Sequence, residues 1–501
     1  MNFLLALLPI AIIIVGMAGL NYSSKVVAPV SWIVALFLGF LVFKSPVEAL
    51  LLTSWNGFLD GIRIVWLIFA AFTLLIIMVD SKAMDSIKQG LSHVTRDKRL
   101  MVLFLAIPFG TFLEGAAGAG APAALAAPFL VGLGMDPVIA AAACLIGNSC
   151  PVCWGGAGVT TVVGSGAAGL DFVPVSAMTG RFIALGYLLL PVLIIGFVFG
   201  KKAFKGIWKD IVVMGLMMGS INFTMSNFLV SVTELTSLIG GMTGTFLFGA
   251  YLWFRKDAAM PEEYRFNSQN ESLSEETSEE RSSQLSFIRS LLPYLILSAL
   301  LVVVRLSFPL KTLVSFGGGY TVWVGTVILV SAFVASFILG CSQFFISSAV
   351  KAFKRVIPAL VAMGLLLAMV NCMKLSGQIS TLAVTFATIA RFFYPAVAVL
   401  IGQIGSFVTG TNLGSNLMFN PLHVEAVKNL SINVLPVVAA QNTGGAIGNM
   451  ICPNNVVAVC ACVAILGREG EVMRKTLIPS FCFFLFFGSL AMFYTYVIFP
   501  A

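Results

Sequence analysis

The chain has 501 residues, 59% of them hydrophobic and only 10% charged, with a net charge of +8. Soluble domains carry about 25% charged residues, so this composition excludes a water-soluble globule. The basic residues are dispersed between apolar runs, which excludes a nucleic-acid binder. Runs of about 20 apolar residues, the length that crosses a bilayer as a helix, recur from end to end. They predict an all-α polytopic protein of the cell inner membrane, with the lipid bilayer as its first partner.

In chain order, Phe3–Leu20 has no basic leader and no small-residue cleavage signal, and predicts a retained first span. Spans follow at Val27–Phe43 and Ile64–Val79. Met101–Leu133 is apolar but full of Gly and Pro, and predicts a re-entrant hairpin. Pro137–Gly169 is too long for one straight span and holds Gly and Pro in its middle, so it predicts a broken helix. Phe182–Gly200, Ile211–Val230 and Leu235–Phe254 are further spans. Arg255–Arg289 carries Glu275, Glu276, Glu279 and Glu280 among serines and predicts a disordered cytoplasmic linker. Beyond it come spans at Leu291–Phe308, Thr321–Gly340 and Val356–Met373. A second hairpin (Tyr394–Leu430), a second broken helix (Asn433–Leu466) and the span Leu477–Phe499 complete the chain.

With Ser81–Arg99 placed in the cytoplasm, most of the 29 Lys and Arg residues fall on that side and both termini face outward. The two halves also echo each other. Gly110-Thr-Phe-Leu-Glu-Gly115 matches Gly405-Ser-Phe-Val-Thr-Gly410, and Asn148-Ser149 parallels Asn442-Thr443 downstream. The preceding surface segments, Ser81–Val94 and Ser376–Ala390, fall on opposite sides, which predicts an inverted repeat. The divisions are then 1–210 for the first repeat, 211–254 for a connecting helix pair, 255–290 for the linker and 291–501 for the second repeat.

Unwound backbone survives in lipid only where it is buried or lines a cavity. Gly115–Pro122, Asn148–Gly158, Gly410–Asn416 and Gln441–Gly448 are four such breaks, paired by the repeat. Helix ends at a break aim N–H groups at an anion. Close packing through small residues explains the glycines but not the concentration of Asn, Ser, Thr and Gln. Gly115, Asn148, Ser149, Asn416, Asn442 and Thr443 are therefore candidate ligands for a small carboxylate. Arg181 either holds that carboxylate or anchors at the interface. Glu114 stands as the only acid inside an apolar motif, which suits a proton carrier. His423 reads as an interfacial histidine at a hairpin end and His93 as a surface residue. Cys150-x-x-Cys153 has no second pair or histidine at metal-binding spacing, so it reads as packing. No cofactor or metal is expected, and no phosphate loop or nucleophile–base pair points to an enzyme. A channel would favour rings from several subunits, whereas paired breaks favour alternating access.

The stretch GTFLEGAAGAGAPAALAAPFLVGLG from Gly110, with AACLIGNSCPV, MTGRFIALGYLLLP and NTGGAIGNMICPNN, resembles the bacterial L-lactate permease family over nearly the whole chain. The resemblance implies proton-coupled uptake of L-lactate, with D-lactate and glycolate as alternatives. It also implies elevator-type movement of a hairpin-bearing domain against a scaffold, in a monomer or an oligomer. Sodium coupling is the alternative to H+, and an anion channel a more distant one. In that family's pattern an Asp stands where this chain has Asn412 and a Lys where it has Asn449. Both charges of a candidate ion pair are thus replaced by the same amide, which leaves no stranded charge.

Overall fold

The computed structural model describes all residues except 1, 17–23, 84–85, 88–89, 91–93, 119–120, 256–260, 266–285, 309–311, 313–318, 466–467 and 501. His93 and most of the expected 255–290 linker lie outside the described residues. The described residues form helices joined by turns, with no strand among them. Eight of these helices are long and apolar enough to cross a membrane, or up to eleven when each bent pair counts as one span.

The chain opens with α1 (Asn2–Ile14), α2 (Ser24–Leu41) and α3 (Val47–Asp80). Helix α3 has 34 residues, roughly 50 Å at 1.5 Å per residue, well beyond the hydrocarbon thickness. It begins after Pro46, which has no N–H to extend a helix further back. The sequence reading starts this span only at Ile64, because Asp60 and Arg63 interrupt the apolar run. In the structure these two neutralise each other one turn apart, at 2.6 Å.

The first hairpin descends as α4, built from Lys98–Phe104 and Gly110–Ala117 joined through a widened turn at Leu105–Phe109. Pro108 inside that turn lacks the N–H a regular helix needs there. The hairpin returns as α5 (Ala121–Gly132). Helix α6 (Pro137–Gly147) starts with Pro at its first position, and the Asp136 carboxylate accepts from the Val138 and Ile139 N–H groups. A tight turn (Pro151–Trp154) leads into α7 (Gly155–Ala168), and the two parts of this span are bent by 58°. Helices α8 (Phe172–Ile194), α9 (Trp208–Asn227) and α10 (Thr236–Phe254) follow, with a short turn of helix at Val230–Leu235 before α10.

The second half runs through α11 (Phe287–Ser307), α12 (Tyr320–Ile338), α13 (Phe345–Leu375) and α14 (Gln378–Ala390). Its hairpin is α15 (Tyr394–Thr409) and α16 (Asn412–Leu430). Gly410 sits between them at φ +84°, the left-handed stop that glycine adopts most readily. The Thr411 hydroxyl then caps α16 by accepting from the Gly414 N–H. Helices α17 (Val434–Gly448) and α18 (Pro453–Cys462) form the second broken span, bent by 43°, and α19 (Glu469–Phe493) closes the chain. Both halves therefore contain a hairpin, then a broken span, then a long helix, in that order.

Packing divides the helices into two groups. Helix α3 packs chiefly on α13 and α12; α2 packs on α13 and α1, and α11 on α12. The hairpins and broken spans pack on one another and on α8, α10 and α19. Few contacts cross between the groups: α12 meets α7, α11 meets the Val230–Leu235 turn and α4, α3 meets α4, and α13 meets α16. Helix α14 bridges the two groups, touching α1 and α13 on one side and α15 and α16 on the other. The start of α4 holds a buried ion pair. Arg99 is 1% exposed; it pairs with Asp97 at 2.7 Å and donates to the Ala203 and Lys205 carbonyls.

Candidate functional site

Three of the four breaks meet at a small cavity on the seam between the two groups. Glu114 and Gly118 of the first hairpin, Gly155 and Gly156 at the start of α7, and Thr411 and Asn412 of the second hairpin line it. Asn449, at the second broken span, joins them. Ile64, Leu67 and Ile68 of α3 and Met363 of α13 form the apolar wall opposite. The cavity measures about 40 Å³, room for a few water molecules.

Glu114 is 1% exposed. The Asn148 amide donates to its Oε2 at 3.1 Å. Its other carboxylate oxygen lies so close to Gly155 that a Cβ there would collide with it. Gly155 thus lets the acid approach the backbone of the break. Asn412 and Asn449, the two amides singled out from the sequence resemblance, line this same cavity with Glu114. Asn449 accepts from the Ser406 hydroxyl at 3.0 Å.

Behind the cavity, Asn442 is the centre of a polar cluster that joins both halves. Its amide nitrogen donates to Thr161 at 2.9 Å and Thr179 at 3.3 Å. Its side-chain oxygen accepts from Asn412 at 3.0 Å and Asn416 at 2.8 Å. Its backbone carbonyl accepts from Asn412 and, at 3.7 Å, from the Cys153 thiol. Asn420, one turn beyond Asn416, donates to the Gly164 carbonyl of α7 at 2.8 Å. The second hairpin is thereby bonded to the first broken span.

The structure brings together only some of the residues singled out from sequence. Asn148 joins Glu114, and Asn416 joins Asn442, in two adjoining clusters. Ser149 and Thr443 instead return their hydroxyl protons to their own helices, at Ile146 and Ala439. Gly115 is a packing glycine: a Cβ would strike the backbone of Ser237 and Leu238 on α10. Arg181 stands apart from the cavity. It donates to Asn227 at 3.0 Å, lies 5.0 Å from the Phe499 ring and borders a separate, wider cleft between α8, α9 and the end of the chain. Cys150 and Cys153 are buried free thiols.

His423 is a correction: it is fully buried rather than interfacial. Its Nδ1 is 2.9 Å from the Tyr394 hydroxyl and its Nε2 2.8 Å from Gln441 Oε1. Gln441 in turn donates to Ser415, so Nε2 carries the proton and Nδ1 accepts from tyrosine. The histidine ties both arms of the second hairpin to α17. Glu114 is also not the only embedded acid. Glu234 is 0% exposed and ion-paired with Arg305 of α11. Its flanking Thr-Glu-Leu-Thr reads as an ordinary loop, and no local pattern announces an arginine more than a helix away in sequence. Thr161 and Thr179 were missed for a simpler reason: threonine is common in apolar helices, where its hydroxyl usually bonds back to its own turn.

Sequence comparison assigns the chain to a known family. The family described as L-lactate permease matches residues 2–324 and 319–498. Over 99% of its length the chain is 28% identical to the glycolate permease GlcA of Escherichia coli K12, covering 96% of that protein. It is equally similar, over the same shares, to the L-lactate permease of Salmonella typhimurium. Among solved structures, MtrF of Neisseria gonorrhoeae, from a class of antimetabolite efflux pumps, aligns with a TM-score of 0.47 at 14% identity. That alignment covers 89% of this chain and 83% of that one. The chain is a multi-pass membrane transporter and belongs to the L-lactate permease family.

Proposed function

We propose that this transporter carries L-lactate, or a closely related 2-hydroxy monocarboxylate, into the cell together with a proton. The observation that carries the reading is Glu114, a buried acid in a cavity that contains no Lys or Arg among its described lining residues. A substrate carboxylate there takes its hydrogen bonds from neutral donors, such as backbone N–H groups at the start of α16 and the break before α7. Charge-assisted bonds of this kind contribute about 1.5–3 kcal/mol each. An anionic substrate and an ionised Glu114 repel strongly in so small and dry a space. Substrate therefore enters with Glu114 protonated, and by linkage each ligand strengthens the other.

The cavity has room for only a few waters, so a hydroxyacid enters when the seam widens. We place the moving unit in the hairpins and broken spans, sliding along α3 and α13 in an elevator-type motion. The repeated hairpin–broken span order supports an inverted-repeat origin for this unit. The inner membrane of the cell is the compartment in which such a gradient-driven carrier works.

Glu114→Gln tests the reading. A glutamine mimics the protonated acid, so lactate exchange across a liposome membrane should persist while concentrative uptake falls to background. A Glu114→Gln protein with full, pH-dependent uptake would remove this residue from coupling.

A further inference from the structure

The break within the first turn of α7 contains three consecutive left-handed residues: Gly156 at φ 55°, Ala157 at φ 53° and Gly158 at φ 79°. Glycine adopts this conformation freely, but alanine does so under strain, because its Cβ crowds the carbonyl oxygen. A strained residue persists only where its surroundings over-determine it.

Two contacts do so here, and both depend on the other helix group. The Tyr320 hydroxyl, at the start of α12, donates to the Ala157 carbonyl oxygen at 2.8 Å. Gly158 rests on the backbone of Glu234, so closely that a Cβ would collide with the Glu234 carbonyl. Glu234 in turn is held by Arg305 of α11. On its opposite side the same break faces the cavity, through Gly155 against Glu114 and Gly156 against the backbone of Gly118. A buried ion pair adds little stability over apolar packing, and an ionisable pair at membrane depth marks function. Among the described residues, Arg305 and the Tyr320 hydroxyl are the titratable groups that face Glu234.

We propose that Tyr320 and the Glu234–Arg305 pair are positioning residues for the substrate site. From across the seam they hold Ala157 and Gly158 in the left-handed break, and so keep the Gly155–Gly156 wall in its binding shape. When the two groups slide, Tyr320 and Arg305 leave the break and the strained alanine relaxes. Substrate affinity is thereby coupled to the position of the moving unit. The inference rests on the cavity being the substrate site.

The test uses full-length protein in lipid nanodiscs and proteoliposomes. Backbone hydrogen exchange over residues 155–160 is read without substrate, and lactate KM and maximal rate are read in uptake. Tyr320→Phe should accelerate exchange at the break and raise KM roughly five- to tenfold, the loss expected for one hydrogen bond. The maximal rate should be nearly unchanged. Ala157→Gly removes the strain that the hydroxyl holds in check, so Ala157→Gly combined with Tyr320→Phe should return exchange and KM toward the wild type. Replacing both charges together, Glu234→Gln with Arg305→Gln, avoids a stranded carboxylate and should reproduce the Tyr320→Phe signature. Unchanged exchange in Tyr320→Phe, or a defect that Ala157→Gly does not reverse, overturns the inference. Because exchange needs no substrate, altered exchange in a protein that carries no lactate would instead overturn the site reading alone.

Discussion

Asn412 and Asn449 share one cavity with Glu114, so the Asp and Lys that the sequence resemblance sets against them would face each other there. An aspartate at the first without a lysine at the second would add a carboxylate beside Glu114 with no partner. The reverse change would set an ammonium in the cavity with Glu114 and hold that acid in its ionised form. Removing one partner of a buried pair typically costs about 3–5 kcal/mol, and adding one unpaired charge should do comparable damage. Asn412→Asp is thus expected to lower thermal stability and abolish lactate uptake, and Asn449→Lys to abolish uptake by keeping Glu114 ionised, whereas the double variant should recover stability and uptake substantially. Thermal unfolding of purified protein alongside uptake checks this; a double variant no better than the worse single would show that the two positions do not meet. At this scale the sequence is a partial guide. Glu114 stands out because its neighbours are apolar and small. Glu234 does not, because its burial is created by Arg305 and Tyr320 arriving from elsewhere in the chain. Ser149 and Thr443 looked equivalent to Asn148 and Asn442, yet a hydroxyl in a helix readily bonds back to its own turn, and these two do.

At the scale of elements, the breaks were readable and the long helices less so. Runs such as Gly-Ala-Ala-Gly-Ala-Gly-Ala-Pro cannot form a comfortable straight helix in lipid, and α4 does end at Gly118 with φ +65°. The second hairpin, expected at Tyr394–Leu430, spans those residues as α15 and α16. The start of α3 was hidden by a charge pair that a helix neutralises at i,i+3. Some of the small residues serve packing, as the competing reading held. Gly444 brings α17 so near α15 that a Cβ would strike the Val399 carbonyl oxygen, whereas a Cβ at Gly166 meets nothing within 4 Å. Gly444→Ala should therefore destabilise by about 1–3 kcal/mol, as overpacking does. Gly166→Ala should be neutral or slightly stabilising, since alanine favours the helix. Thermal unfolding in detergent compares the two; equal midpoints would mean that the α15–α17 crossing is looser than drawn.

For the whole molecule, the decisive feature is the seam. Composition and the distribution of Lys and Arg made the membrane-spanning character plain, and the Gly-Thr-Phe-Leu-Glu-Gly echo pointed to two comparable halves. Neither could show that α3 and α13, far apart in sequence, pack together as one wall. Nor could they show that Glu114, Asn412 and the break before α7 face that wall. Long-range pairing of apolar faces leaves no local pattern, since lipid-facing and helix-facing residues are equally hydrophobic. A proton-linked carrier with its acid on such a seam makes a demand on energetics: an inward proton gradient alone must concentrate substrate. The direct measurement is uptake of radiolabelled L-lactate into proteoliposomes of the purified protein, with an imposed pH gradient in sodium-free buffer. Accumulation above the outside concentration, abolished by a protonophore and indifferent to sodium, is the expected result. Accumulation that ignores the pH gradient and follows a sodium gradient instead would contradict the account.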